Sequence, residues 1–540
     1  MEEGGELTMP LGQKVVLIGG GHNALVTAFY LAKGGFKPVV LERRDVTGGG
    51  AATEEFRPGF RASTLAHTLG PLRADIARDM QLDKYNLHVF RPNPRVFAPT
   101  PDGHGLLFYD DAAKTAGAIS HLSAKDGAKY TEFAEALEKI AGVFAQIASI
   151  TPPGIDHPSP EDLWNLLKTG RSVRKLGKYG IFDLLRWGPM AVADFVSEFF
   201  ETELLRAVIA ARGIFGANLG PWSAGSATVL LLRAAADAHP VGAAAFARGG
   251  LGEFARALTE SAQAAGAEIR TDAEVAQIRT KGEAVSGVVL SNGEEIACEA
   301  VVSGVDPKRT FFHLLDPTSL DPVFAMRMKN FRSRGNVAKV HLALGDLPSF
   351  PALANAVAPD GFHEALGGRI HIGYEIDYLE KAYDATKYGE ISQAPYLDVT
   401  IPTVLDPSLA PTGKHVLSAY FQFAPYQLKE GNWNSRRGEL ADIVIRTLSQ
   451  YSPNLANLVE AAHVITPADL ERYYGYTGGH IFHGEIALDQ IFTMRPVLDW
   501  ARYQTPIRGL FLCGNGTHPG NGLTGASGAN AAKEIIHELR

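Results

Sequence analysis

The amino-acid sequence predicts an α/β fold, with a Rossmann-like dinucleotide-binding domain that is discontinuous in the chain and carries an inserted mixed α+β domain. Three observations predict it. A continuous apolar run, Val15-Val16-Leu17-Ile18, enters Gly19-Gly20-Gly21 and then a segment with apolar residues at helical spacing. That is the strand, glycine turn and helix of a phosphate-binding unit. Far along the chain, Leu510-Phe511-Leu512 enters Gly514-Asn515-Gly516 and then a helix rich in small residues. Between these units lie a long helical stretch and a stretch of partly alternating strands, the pattern of an insertion with a core of its own.

The first unit reads as follows. Gly19 permits the tight turn, Gly21 lets backbone approach a pyrophosphate, and Ala24 stands where a third small residue lets helix and strand pack closely. The helix runs through Leu25, Ala28, Phe29 and Leu31, and the free N–H groups at its start, about His22 and Asn23, favour phosphate. Gly34-Gly35 ends it. Pro38 to Leu41 is the second strand, and Glu42 follows 23 positions after Gly19, where an acid meets ribose hydroxyls.

The segment Ala74 to Pro240 reads as mainly helical. A proline-rich break at Thr151 to Gly154 is followed by a basic stretch, Arg171, Arg174, Lys175 and Lys178, beside Ile181, Phe182, Leu184, Leu185 and Trp187. This composition fits a solvated helix face and also a peripheral membrane contact. The sequence then returns to α/β patterning. A helix is expected over Glu253 to Ala265, and strands over Ala284 to Leu290 and Glu295 to Cys298 flank the turn Ser291-Asn292-Gly293. Ala300 to Ser303 is another buried strand. Gly249-Gly250-Leu251-Gly252 has no apolar strand directly before it, so it is not read as a second dinucleotide site. Val337 to Leu344 and His415 to Phe423 alternate in part and predict a mixed or antiparallel sheet.

Composition sets limits. A chain of 540 residues exceeds one ordinary core. The net charge of −8 gives no nucleic-acid footprint. Cys298 and Cys513 make neither a CxxC motif nor a disulfide framework. The leader before Lys14, with Glu2, Glu3 and Glu6 and no arginine, reads as neither a secretory signal nor a transit peptide, which predicts a cytoplasmic protein with optional membrane-peripheral contact. His480, His483 and Glu485 invite a metal reading, but no further ligand is identifiable and none is assigned. His480 and His483 are instead candidates for proton transfer.

Glu42-Arg43-Arg44, Gly48-Gly49-Gly50-Ala51 and Thr53 resemble the extended FAD signature of the amine oxidase and phytoene desaturase superfamily. Gly50 stands where the amine oxidase branch commonly has arginine. The continuation Glu54 to Phe60 is similar to the branch of bacterial phytoene desaturases, carotenoid isomerases and retinol saturases. The resemblance implies FAD in a domain of the glutathione reductase type, made of residues 1–75, 241–310 and 476–540, with a substrate domain of 76–240 and 311–475. It implies FAD contacts at Gly19, Gly21, His22, Asn23, Ala24, Glu42, Arg43, Arg44, Gly49, Gly50, Ala51, Thr53, Val275, Ser303, Gly304, Gly514, Asn515, Gly522, Leu523 and Thr524. It further implies hydride transfer to or from flavin N5 on carbon–carbon bonds of an apolar unsaturated molecule, isoprenoid, carotenoid or lipid-like, with oxygen or a quinone as external acceptor. A flavin-dependent isomerase or saturase, and an FAD-containing binding protein without turnover, remain open alternatives. The oligomeric state is not legible.

Overall fold

The computed structural model describes residues 12–70, 72–356, 361–520 and 522–540; the acidic leader and Asn521 lie outside them. Five parallel strands form the dinucleotide-type sheet, in the order Leu510–Leu512, Ala300–Ser303, Lys14–Ile18, Lys37–Leu41, Glu268–Arg270. Lys14–Ile18 is central and buried from Val15 to Ile18, as its unbroken apolar run requires of a strand covered on both faces. Gly19, at φ +87°, turns the chain into the helix His22–Lys33, a conformation that favours glycine.

That helix packs against two others, Leu251–Ala264 and Ala526–Glu538. The second contact is backbone-close. A Cβ on Gly528 would lie 2.3 Å from the Asn23 carbonyl oxygen, and the Thr27 hydroxyl donates to the carbonyls of Asn23 and Gly528 at 2.8 and 3.0 Å. Small residues in the late helix are thus the condition for the two chain segments to meet. The expected Asn-Gly hairpin is present, with Ala284–Leu290 antiparallel to Glu295–Ala297 and Gly293 at φ +90°.

The inserted region holds a seven-stranded sheet in the order Val459–Ile465, Val337–Leu344, His415–Gln422, Tyr396–Thr400, Arg369–Ile372, Val96–Pro99, Gly105–Phe108. All pairs are antiparallel except Arg369–Ile372 with Val96–Pro99. Two of these strands correct the expectation of helix through Ala74 to Pro240. They form a short hairpin whose outer neighbour, Arg369–Ile372, is distant in sequence, so tertiary pairing decides their state.

Val337–Leu344 is buried at every position. Ala338, Val340, Leu342 and Leu344 join a core under the helix Trp433–Ser449. The alternate positions Val337, Lys339, His341 and Ala343 turn to the other face, as a period of two demands, toward Leu65, Phe60 and Tyr420. A helical lobe from Ala112–Ser120 to Ser226–Ala234 closes over the sheet around Tyr130, Phe133, Phe195, Leu205 and Leu230. Among the described residues no helix is long and apolar enough to cross a membrane.

Candidate functional site

One large cavity runs from the C-terminal ends of the parallel strands to the face of the inserted sheet. About 2130 Å³ within it, its open mouth included, is free of protein atoms. The cavity thus joins the first glycine loop, at Gly19 and Gly21, to residues of the inserted sheet, Arg369, Tyr396 and Tyr420.

The nucleotide end is built from the first unit. Gly21 caps the helix His22–Lys33 at φ −69°, ψ 163°, and a Cβ placed on it meets no atom of the described residues within 4 Å. It points into the open cradle, where the helix N-terminus leaves N–H groups free for phosphate. The Gly48–Ala51 turn lies beside it, tied by a 2.8 Å bond from Gly48 N–H to the Gly20 carbonyl. A Cβ on Gly50 would come within 3.0 Å of the Tyr476 hydroxyl and 3.2 Å of Leu65, so a larger residue there requires those side chains to give way. Glu42 accepts from the N–H of Gly20 at 2.6 Å and of Arg44 at 3.0 Å. Its carboxylate therefore braces the glycine loop as well as lining the cavity. Arg44 pairs with Glu54, stacks 5.1 Å from the Tyr474 ring centroid, and keeps a buried Nη1 with no partner among the described residues. Arg43 donates to the Tyr473 carbonyl.

The late segment closes the same space. The Asn23 amide donates to Asn515 Oδ1 at 3.0 Å, and His22 Nε2 lies 3.0 Å from the Gly522 carbonyl. Gly19, Gly21, His22, Asn23, Ala24, Glu42, Arg43, Arg44, Gly49, Gly50, Val275, Gly304, Gly514, Asn515, Gly522 and Leu523 all border the cavity. The open cradle at Gly21, the unpartnered Arg44 Nη1 and the convergent helix N-terminus fit a bound dinucleotide.

Four residues expected to touch the cofactor do not border the cavity; each holds a bordering segment instead. Thr53 Oγ1 accepts from Gly252 N–H at 2.8 Å and anchors the helix Leu251–Ala264. That contact also explains Gly250 and Gly252, because a Cβ on either would lie 2.4 or 3.2 Å from Thr53 Oγ1. Ala51 is wholly buried and donates to the Gly48 carbonyl. The Ser303 hydroxyl meets that of Thr310 at 2.7 Å. Thr524 Oγ1 accepts from Ala526 N–H at 3.3 Å, at the start of the last helix.

The two candidate histidines separate. His483, at φ +58°, borders the cavity with its ring 4.9 Å from that of Tyr476 and a buried Nδ1 without a partner among the described residues. His480 is turned inward and only 1% exposed. Its Nδ1 accepts from the N–H groups of Phe482 and Gly484 at 3.2 and 3.4 Å, so the proton sits on Nε2 and the ring shapes the loop. Burial brings both histidines down to about 3. Glu485 faces Arg332 instead, at 3.0 Å, and among the described residues no group of three or more metal-type ligands converges. Arg495, 1% exposed, donates to the carbonyls of Phe482, Gly484, Glu485, Gln490, Asn515 and Thr517 and so sews the histidine loop to the Gly514 turn.

The far end of the cavity holds residues that sequence reading missed. Phe215, Tyr396, Tyr420, Arg212, Arg233 and Arg369 border it. Behind them Lys339 is wholly buried, with Nζ 2.6 Å from His67 Nδ1 and 3.8 Å from the Tyr420 ring centroid. Burial holds this amine well below its ordinary value. His67 Nε2 lies 2.8 Å from the Asp398 carbonyl, so His67 donates there and accepts from Lys339. Lys339 and His341, two residues apart in an otherwise apolar strand, were the available signal. Both thiols are buried and pushed up to about 12, which leaves no thiolate at neutral pH.

Comparison with known proteins places this geometry. Residues 25–536 match the family described as flavin containing amine oxidoreductase. The chain is 35% identical to pyridine nucleotide-disulfide oxidoreductase domain-containing protein 2 of Rattus norvegicus, covering 97% of this chain and 93% of that one. It is 27% identical to phytoene dehydrogenase of Streptomyces griseus, covering 96% and 94%. It is 25% identical to a limonene dehydrogenase polypeptide of Castellaniella defragrans, covering 97% and 94%. A putrescine oxidase variant redesigned for cofactor binding shares the fold, with a TM-score of 0.61 at 13% identity, covering 98% of each chain. The cradle, its bracing acid and these matches lead to one conclusion: the chain belongs to the flavin containing amine oxidoreductase family, and its cofactor is FAD.

Proposed function

We propose that this FAD oxidoreductase is phytoene dehydrogenase-like and acts on a carbon–carbon bond of an unsaturated, mainly apolar small molecule. The observation that carries the reading is the continuity of the cavity. The cradle at Gly21 and Glu42 shares one space with a chamber walled by Phe215, Tyr396 and Tyr420. The relatives named for phytoene and limonene dehydrogenation lend the reaction class.

Bound FAD supplies a two-electron, hydride-accepting ring. The chain supplies the rest. Gly21 and the helix after it receive the phosphates, and Glu42 orders the loop around them. Phe215, Phe482 and Tyr420 exclude water from the chamber and orient the substrate. His483 presents a neutral imidazole at the cavity wall. Oxygen or a quinone serves as the external acceptor.

The helices Pro160–Lys175 and Gly177–Trp187 offer a route for a lipid-borne substrate. Trp164, Tyr179 and Leu185 are 52, 81 and 68% exposed there, beside Lys168, Arg174 and Lys178. Apolar rings flanked by cations suit an anionic bilayer surface.

The test is an absorbance spectrum of the purified protein, followed by anaerobic mixing with unsaturated isoprenoids and lipids. Bleaching of the flavin with a product two hydrogens lighter supports desaturation. A product two hydrogens heavier from the dithionite-reduced protein, or one unchanged in mass, turns the reading to a saturase or an isomerase. Bleaching by amines alone, or by nothing, overturns the carbon–carbon reading.

A further inference from the structure

Three arginines face the far end of the cavity, and two of them are already matched. Arg369 pairs with Asp398 at 2.8 Å and donates to the carbonyls of Val241 and Ala243. Arg212 gives its Nη donors to the carbonyls of His239, Pro240 and Asp237, at 2.5, 3.3 and 2.9 Å, and holds that loop closed. Asp237, the remaining carboxylate there, is 3.1 Å from Arg95. Each acid therefore has its own cation.

Arg233 has none. It sits near the end of the helix Ser226–Ala234 and borders the cavity. Its guanidinium is held between two rings, 5.2 Å from the Phe215 centroid and 5.0 Å from that of Phe482. Nη2 donates to the Phe215 carbonyl at 2.6 Å, and the buried Nε has no partner among the described residues. No carboxylate forms an ion pair with it among the described residues. Burial draws this group down to about 10, which leaves it a cation at neutral pH. A planar donor fork that is enclosed, oriented by aromatic faces and short of acceptors is built for a ligand oxyanion. A buried cation without a counter-charge is costly to the fold unless something compensates it. Val96, Val208, Ala211 and Val241 give the cavity apolar wall beside the paired Arg369 and Asp398 and the tethered Arg212.

We propose that Arg233 anchors an anionic group, a carboxylate or a phosphate, at one end of an otherwise apolar substrate. The inference rests on reading the far chamber as the substrate site of the FAD oxidoreductase. It departs from a pure hydrocarbon substrate, because a hydrocarbon would leave this cation uncompensated once the chamber closed around it.

The experiment compares decanoate, decyl phosphate and decanol, which share one chain length and differ in the head. Binding to the FAD-loaded protein is read by calorimetry, and FAD content is read separately from the spectrum. At least tenfold tighter binding of one anion than of decanol is expected, and which anion wins assigns the head. In Arg233→Gln the preference collapses toward unity while FAD content stays at the wild-type level; Arg233→Lys recovers part of the preference. Equal affinity for all three ligands, no binding of any, or an anion preference that survives Arg233→Gln overturns the proposal. Loss of FAD in both variants overturns it too, since the arginine would then serve the cofactor. A colourless wild-type protein that still prefers the anion refutes the oxidoreductase reading alone.

Discussion

Asn23 donates its amide to Asn515 Oδ1 at 3.0 Å, and the two residues are 492 positions apart. Asn23 Oδ1 also accepts from the N–H of Gly528 at 3.3 Å. A single buried side chain thus links the first helix to both the late glycine turn and the last helix. Replacing Asn23 by Ala leaves buried polar groups on both partners unpaired, at about 1–3 kcal/mol for each such group. The expected result is a lower melting temperature and faster loss of FAD on dilution. A variant that melts with the wild type and keeps its flavin would show that this link is not what holds the halves together.

Gly21→Leu separates folding from cofactor binding. The backbone there is ordinary for any residue, and the new side chain meets no atom of the described residues at its Cβ. It projects into the cradle instead. The variant should fold with wild-type secondary structure and carry no FAD. Full flavin content would mean that the phosphates lie elsewhere.

Glu42→Ala should do both things at once. Its carboxylate holds the N–H groups of Gly20 and Arg44, so the loop loosens while a ribose partner disappears. A loss of roughly 1.5–3 kcal/mol in FAD affinity is expected for charged hydrogen bonds, together with a lower melting temperature of the FAD-free protein. An affinity within twofold of wild type would remove Glu42 from the cofactor contacts.

Stability should fall on mild acidification. Burial lowers His22, His371 and His518 to about 4 and His480 and His483 to about 3. Unfolded, each titrates near 6.5. Between these values the unfolded chain binds more protons than the folded one, so stability rises with pH there and is lost as pH falls below about 6.5, by up to about 1.4 kcal/mol per unit for each group. Melting should be level from pH 7 to 8 and drop steeply from 6.5 to 5, before most carboxylates titrate. A flat profile across that window would mean that these imidazoles are hydrated.

Membrane contact has its own test. Flotation with vesicles containing phosphatidylserine should carry the protein upward at low salt, and Trp164→Glu with Phe182→Glu should abolish this without changing the melt. Binding to neutral vesicles alone would exclude the role given to Lys168, Arg174 and Lys178.

Much of the nucleotide end was legible because its chemistry is local. Glycines, strand and acid follow one another within about thirty residues of Lys14, and backbone geometry dictates their identities. The far end was not legible, because its residues converge from strands and helices whose neighbours are distant. The strand Val96–Pro99 takes its state from Arg369–Ile372. Lys339 sits in a strand whose partial alternation predicted a mixed or antiparallel sheet but not that every position, the lysine included, would be buried. Thr53 and Ser303 show a subtler limit: a motif fixes which residues stand near a cofactor, but not which of them turn away to hold a neighbouring helix.

The order of the parallel sheet has a consequence for biogenesis. Lys14–Ile18 is its central strand, yet its neighbours are Lys37–Leu41 on one side and Ala300–Ser303 on the other, with Leu510–Leu512 beyond. On the ribosome the first strand–helix–strand unit must therefore wait, with an apolar edge uncovered, while several hundred further residues are made. Contacts of such long sequence separation form slowly and expose sticky intermediates. Early capture of that edge by a chaperone, and admission of the cofactor only after Leu510–Leu512 has docked, would follow directly from the topology.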